Sequence, residues 1–401
     1  MVSLLLPILY LIFISLGLPD SLLGSAWPTI YQEFDVPYSY QGFVTVIISL
    51  GTVISSLNSD RLPRKFGSSW VTSISILMTA FGLFGFSFSH SIWMLMLAAI
   101  PYGLGAGAVD ASLNNYIALH YESRHMSWLH CMWGVGASIG PYIMTYALTS
   151  GGTWNNGYRY IGYIQVVIAL ISFLSIPLWT KKAALDRESN GVEETEKTPE
   201  MASESKKALS LKQILQIPGA KAIMVTFFCY CAVETLNFNW ASTYLQINRG
   251  ATAEEAASYA AMFYLGMTIG RFFNGFLTMK FSDKQLIHLG ESIMAVGLVL
   301  ELIPGHNITL GLVGLIVLGL GCAPVYPCII NSTPDLFGPE KSQAVIGVQM
   351  ASAYISGVVV PASFGVIANH ITIALFPFAN LLMFLGMFLM YQRLLQVSKE
   401  N

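Results

Sequence analysis

Long apolar runs separated by short polar breaks set the pattern of this chain, and the runs have membrane-spanning length. A spanning helix needs about 20 mostly apolar residues. Twelve stretches qualify, near 4–31, 39–58, 69–89, 92–119, 126–149, 158–180, 218–246, 255–279, 285–304, 307–331, 342–368 and 372–394. The one long polar stretch, 181–216, is rich in Glu and Lys. Its low hydrophobicity predicts a flexible linker. The expected organisation is therefore an N-terminal six-helix bundle (1–180), a cytoplasmic linker (181–216) and a C-terminal six-helix bundle (217–401).

Composition agrees with an all-α integral membrane protein. Of the 401 residues, 54% are hydrophobic and only 10% charged, against about 25% charged in soluble domains. The net charge of -2 argues against a nucleic-acid partner. The five cysteines lie inside apolar runs, with no disulfide framework and no metal-ligand spacing. The first apolar run lacks a basic leader and has full spanning length, so a cleaved signal peptide is not expected. With the N-terminus inside, Arg61, Arg64, Lys65, Arg124, the linker lysines, Lys280, Lys284, Lys341, Arg393 and Lys399 all fall on the cytoplasmic side. Only Arg159 and Arg249 then fall outside. That bias predicts cytoplasmic termini in a multi-pass protein of the cell membrane.

Two loops suggest that the halves are related. One reads Ser56-x3-Asp60-Arg61-x-Pro63-Arg64-Lys65, and the other Gly275-x3-Met279-Lys280-x-Ser282-Asp283-Lys284, with Met279 standing 219 positions after Asp60. An offset near half the chain is the mark of a parallel repeat. The first loop resembles the G-x3-D-R-x-G-R-R/K signature of the major facilitator superfamily, with Ser56 and Pro63 at two of its glycines. A narrower resemblance, to the fucose/glucose permease branch, comes from GLPDSLLGSAWP, GLGAGAVDASLNNY, MSWLHCMWGVGASIGP, VETLNFNWASTYL and GLGCAPVYPCIINSTPDLF. Members of that branch are mostly sugar:proton symporters. The resemblance implies twelve transmembrane helices in two pseudo-symmetric bundles, rocking around a central cavity. It also implies that Asp60 and Arg61 belong to a latch joining helix ends.

Three acids sit at mid-depth: Asp20, Asp110 and Glu234. A carboxylate there costs roughly 3 kcal/mol or more and marks function by default. Asp110 follows Gly103-x-Gly105-x-Gly107 and shares a helical face with Asn114, four positions on. Small residues let helices approach closely in lipid, so the alternative for Asp110 is a satisfied polar group at a tight contact. In the resembled family an acid at this place carries the coupling proton. Asp20 lies thirteen residues from Glu33, roughly 20 Å of helix, just after Pro19, where a broken helix is expected. It is read as a proton or substrate group, or else as a cap on that break. Glu234 opens a stretch holding Asn237 and Trp240, whose carboxylate, amide and indole suit a sugar; a helix–helix hydrogen bond is the alternative. Tyr326 and Gln349 are candidate substrate contacts.

Arg271 is the one basic residue placed in the membrane interior. It is expected either to snorkel or to bridge to Glu234 or Asp335. His130, a possible proton relay by residue type, is read as a hydrogen-bonded structural histidine. Trp93 and Trp179 are expected at the interfaces, and Glu291 and Glu301 near span ends.

The function expected is proton-coupled import of a hexose-like sugar by alternating access, with Asp110 and Asp20 coupling the proton. Asn114, Glu234, Asn237, Trp240, Tyr326 and Gln349 bind substrate, and Asp60, Arg61 and Arg271 form gating salt bridges. Sodium is the alternative coupling ion. A proton-driven exporter of a drug-like or metabolite solute is the second reading, supported by Gly136-x3-Gly140-Pro141. A membrane sensor that binds without transport is the third. No nucleophile–base spacing suggests an enzyme, and no cofactor or metal is expected.

Overall fold

The computed structural model describes residues 2–20, 22–37, 40–189, 208–251, 253–305 and 307–400. Helices account for nearly all of them, and there is no strand among the described residues. In order they are α1 (Leu5–Gly17), α2 (Leu22–Glu33), α3 (Tyr40–Leu57), α4 (Arg61–Phe66), α5 (Ser68–Ser87), α6 (Ile92–His120), α7 (Ser123–Thr149) and α8 (Trp154–Ser189). Then come α9 (Leu211–Ile214), α10 (Ala220–Arg249), α11 (Ala253–Leu277), α12 (Asp283–Leu302), α13 (Ile308–Phe337), α14 (Pro339–His370) and α15 (Phe376–Glu400). Among the described residues, ten spans are long and apolar enough to cross a membrane, α1 and α2 counting as one. α7 and α11, of 27 and 25 residues, have the length but more polar sequences. This is a multi-pass membrane protein.

The described chain packs as two units. One takes in Met1–Tyr121, Met132–Ser210 and Pro339–Met350; the other takes in Glu122–Cys131, Leu211–Gly338 and Ala351–Asn401. Each thus contains the opening turns of one helix whose remainder lies in the other, a split at α7 and α14 that the sequence halves do not predict.

Small residues set the packing inside each unit. In the first, α6 lies between α3 and α5. Gly103 and Gly107 are four apart and face α3, where an added Cβ would strike the backbone of Ile48 and of Thr52; Gly105 faces Ser75 and Thr79 of α5. In the second unit α13 has the same place between α11 and α12. There Gly319 lies against the Phe263 carbonyl and Gly321 against the backbone of Met294. In lipid, where hydrophobicity does not drive helices together, such close backbone approach supplies the dispersion contact that does.

α1 and α7 cross just as closely. A Cβ on Gly17 would meet the Trp133 carbonyl, and one on Gly136 the Ile14 carbonyl. α1 stops at Gly17 and α2 restarts at Leu22, with turn-type bonds from Asp20 N to Gly17 O (3.2 Å) and from Leu22 N to Pro19 O (3.1 Å) bridging the gap. The break expected at Pro19 is present, and the α1–α7 crossing sets Trp133 beside it.

Three expectations change. The span-six helix runs on to Ser189, so 181–189 is helical, while 190–207 lies outside the described residues. Trp179 is buried, its ring 4.3 Å from that of Tyr116, whereas Trp93 is exposed. Glu291 and Glu301, expected near span ends, are buried, because the turns carrying them face neighbouring helices.

Gly136→Leu tests the crossing. The added side chain would enter the α1 backbone, and overpacking of this kind costs about 1–3 kcal/mol. The expected result is a lower melting temperature in detergent, with the Trp133 indole displaced from Asp20 and its fluorescence altered. A melting curve like that of the parent would refute the tight contact.

Candidate functional site

Each unit holds its own polar centre. In the first, the broken backbone after α1 presents Asp20, which is exposed to solvent despite its mid-span position. Its carboxylate accepts hydrogen bonds from Trp133 Nε1 of α7 at 2.8 Å and from the Tyr102 hydroxyl of α6 at 3.4 Å. Asp110 is within electrostatic reach of it. One turn along α6, Asn114 donates to Asp110 Oδ1 at 2.8 Å and lies 3.8 Å from the Met350 sulfur. The helical spacing thus joins Asp110 and Asn114 as expected. Asn114 is wholly buried and already engaged by that carboxylate. Asp20 has two neutral donors and Asp110 accepts from Asn114, so the centre gathers two acids among hydrogen-bond donors.

The second unit answers charge with charge. Arg271 of α11 forms a salt bridge to Glu234 of α10 at 2.9 Å, and both side chains are largely buried. Of the expected alternatives, the bridge to Glu234 is the one formed. Tyr230, one turn before Glu234, donates to its carboxylate at 2.6 Å and lies 2.9 Å from the Cys322 carbonyl. The Arg271 guanidinium lies over the Tyr326 ring, 5.8 Å from its centroid. Phe227 (4.7 Å) and His130 (4.5 Å, edge-on) pack on the same ring. Arg271 Nε is buried with no hydrogen-bond partner. The result is a cation with one donor unspent, walled by aromatic rings.

Other candidates lie apart from this cluster. Asn237 is buried and donates to the Val233 carbonyl (2.9 Å) and to Asn380 Oδ1 of α15 (3.1 Å). Trp240 Nε1 donates to the Pro361 carbonyl of α14 at 3.0 Å, with its ring edge-on to Phe364. Both polar groups are engaged with neighbouring helices. Gln349 is fully buried in the first unit. At the foot of α3, Asp60 is buried and pairs with Arg64 at 2.6 Å, not with Arg61, which is exposed. The reason is helical: Arg64 is four residues on, and the adjacent Arg61 faces away. Asp60 also accepts from Leu209 N at 3.0 Å, and Arg64 donates to the Glu340 carbonyl at 2.6 Å. Among the described residues no cluster of three metal-ligating side chains is present.

Trp133, Tyr102, Tyr230 and Phe227 were not singled out by sequence reasoning. Tyr230 had a signal, four residues before Glu234. Tyr326 had a stronger one: aligning Gly103-Leu-Gly105 with Gly319-Leu-Gly321 sets Tyr326 at the place of Asp110.

Residues 9–257 and 222–401 match the Major Facilitator Superfamily. The chain is 21% identical over 385 residues to Bypass of stop codon protein 6 of Saccharomyces cerevisiae, covering 92% of this chain and 77% of that protein. It is 23% identical over 307 residues to the 4-hydroxybenzoate transporter PcaK of Acinetobacter baylyi, covering 70% of this chain and 66% of that one, just under two thirds. In fold it superposes on the proton:xylose symporter XylE, solved with 6-bromo-6-deoxy-D-glucose bound, at a TM-score of 0.78 and 12% identity, over 98% of this chain and 95% of that one. The chain belongs to the major facilitator superfamily and is a transporter, not an enzyme.

The Glu234–Arg271 bridge invites a double-mutant cycle. Removing one partner of a buried pair strands the other and costs about 3–5 kcal/mol. Glu234→Gln and Arg271→Met are each expected to lower the melting temperature sharply, and the double substitution to recover much of the loss. Additive effects would mean that the two side chains do not compensate each other.

Proposed function

We propose that this major facilitator superfamily transporter imports a small polar solute, most simply a hexose-like sugar, together with a proton. The observation that carries this reading is Asp20, a carboxylate at mid-span, open to solvent, and held by an indole and a phenol rather than by a cation. Such a group is free to take a proton or a sugar hydroxyl, and Asp110 stands close enough to share the charge. In this scheme Asp110 and Asp20 carry the coupling proton. Within the second unit Glu234 and Tyr326 offer the sugar a carboxylate and a ring, while Asp60 with Arg64, and Arg271 with Glu234, hold closed states. The bias of Lys and Arg toward one set of loops supports cytoplasmic termini and a cell-membrane location. Similarity in fold to a proton:xylose symporter supports the sugar class.

A second substrate class has its own observation. Arg271, with an unspent Nε donor and the Tyr326 ring beneath it, suits an aromatic carboxylate, which would stack on the rings and accept from the guanidinium. Similarity to a 4-hydroxybenzoate transporter supports this class.

External pH recorded in lightly buffered, de-energised cells separates the two. Sugars and aromatic acids are added in turn. Alkalinisation with a sugar alone supports the first reading, and with an aromatic acid alone the second. Silence with both, with expression confirmed, counts against proton symport of either class and favours export, sodium coupling or sensing. With the active substrate in hand, Asp110→Asn is expected to abolish accumulation against a gradient while counterflow, which needs no net proton movement, persists. Retained uphill accumulation would take the proton away from Asp110.

A further inference from the structure

Glu301 lies in the last turn of α12, and only 1% of its surface is exposed. Neither carboxyl oxygen has a hydrogen-bond partner. An ionised carboxylate stripped of water and left bare is a costly arrangement, several kcal/mol per ion. A cation is at hand, because Arg249, the last residue of α10, is buried beside it. Yet that guanidinium is spent on neutral oxygens. Its Nε donates to the Tyr244 hydroxyl at 3.0 Å, and its terminal nitrogens to the backbone carbonyls of Gly305 at 2.9 Å and of Glu301 itself at 2.5 Å. The guanidinium hydrogen-bonds the Glu301 carbonyl and makes no hydrogen bond to its carboxyl. This is how a neutral carboxylic acid is housed.

The neighbours reinforce the point. From α10, Arg249 and Tyr244 face Glu301. From α13, Gly314 leaves the room its side chain occupies, and Cys322 is within electrostatic reach. From α15, the fully buried Asn380 turns its side-chain amide toward the carboxyl. Asn380 Oδ1 accepts from Asn237 at 3.1 Å, and Asn237 is three residues from Glu234 on α10. Buried polar side chains therefore run from Glu301 toward the Glu234–Arg271 pair.

We propose that Glu301 is a second proton-binding site of this chain, at the end of the second unit that the proposed topology places outside. In the state seen here it carries the proton, and Arg249 straps the end of α12 to the following turn through the Glu301 and Gly305 carbonyls. When the proton leaves for outer water, the bare carboxylate draws the guanidinium away from those carbonyls and loosens the turn at Gly305. The purpose of the device rests on the proton-coupled reading above; its test does not.

Thermal unfolding of the purified full chain in lipid nanodiscs, followed from about pH 5 to about pH 9, is compared for wild type and Glu301→Gln. The unfolded chain gives up this proton at roughly pH 4.3 while the folded chain retains it, so wild-type stability falls as pH rises above the acid end, whereas the amide cannot ionise. Responses of other groups cancel in the difference. The expected result is equal melting temperatures at the acid end and a Glu301→Gln variant that is increasingly the more stable toward alkaline pH. Parallel curves, or a variant least stable near neutrality as loss of an ion pair with Arg249 would make it, overturn the proposal. Should the amide variant not fold, infrared spectra read the group directly. A protonated-carboxyl band present in wild type is expected to shift in Glu301→Asp, and an unchanged band overturns the assignment. Neither readout involves transport, so failure of the sugar panel leaves the result standing.

Discussion

Hydrocarbon offers no hydrogen bonds, so each polar group carried into it is satisfied by the protein or left at a cost of several kcal/mol. The helices settle this for the backbone. Side chains are then free to come close only where glycine removes the Cβ, and the structure depends on those few places. Gly103, Gly105 and Gly107 bring α3 and α5 onto α6, and Gly17 and Gly136 bring α1 onto α7. The second contact aims the Trp133 indole at Asp20. Packing and polar chemistry are therefore one problem here, since the close crossing supplies a donor to the mid-span acid.

The two units solve that problem in different ways from a related framework. Both place a small-residue helix between two others, α6 in one and α13 in the other. At matching positions on those helices stand Asp110 and Tyr326. The first unit keeps an acid there, which accepts from the Asn114 amide, and holds Asp20 nearby with an indole and a phenol. The second puts a ring at the equivalent place and lets the ring support a guanidinium that a neighbouring glutamate neutralises.

Much of this is legible in the sequence, for physical reasons. Spanning length and the periodic loss of charge identify the helices because lipid enforces both. Pro19 announces the break because its ring removes a backbone donor and crowds the preceding turn. Mid-span acids stand out because they are expensive. What escaped are the partners. Trp133 is one aromatic among many, and only the Gly17–Gly136 crossing singles it out. Arg61 looks as suitable as Arg64 in a loop motif until the helix that begins there turns it away from Asp60. Glu301 sits near a span end, where exposure is the usual expectation, and only the packing of α10, α13 and α15 around it shows that it is enclosed. Sequence reports what each residue would cost; structure reports which neighbour offsets it.

That distinction bears on where ion coupling belongs. A transporter that closes over its centre removes water from the groups lining it. Glu234 loses little by this, because Arg271 and Tyr230 remain on it. Asp20 loses its solvent and keeps only two neutral donors, one of them at 3.4 Å. A bare charge in that position carries a penalty of several kcal/mol, and a proton removes it. The acid without a cation is thus the one whose protonation state changes the ease of closure. In the proposed scheme the salt-bridged acid then offers substrate a fixed, net-neutral surface. Coupling in that scheme rests on Asp20, which two neutral donors hold and which a proton from the medium neutralises.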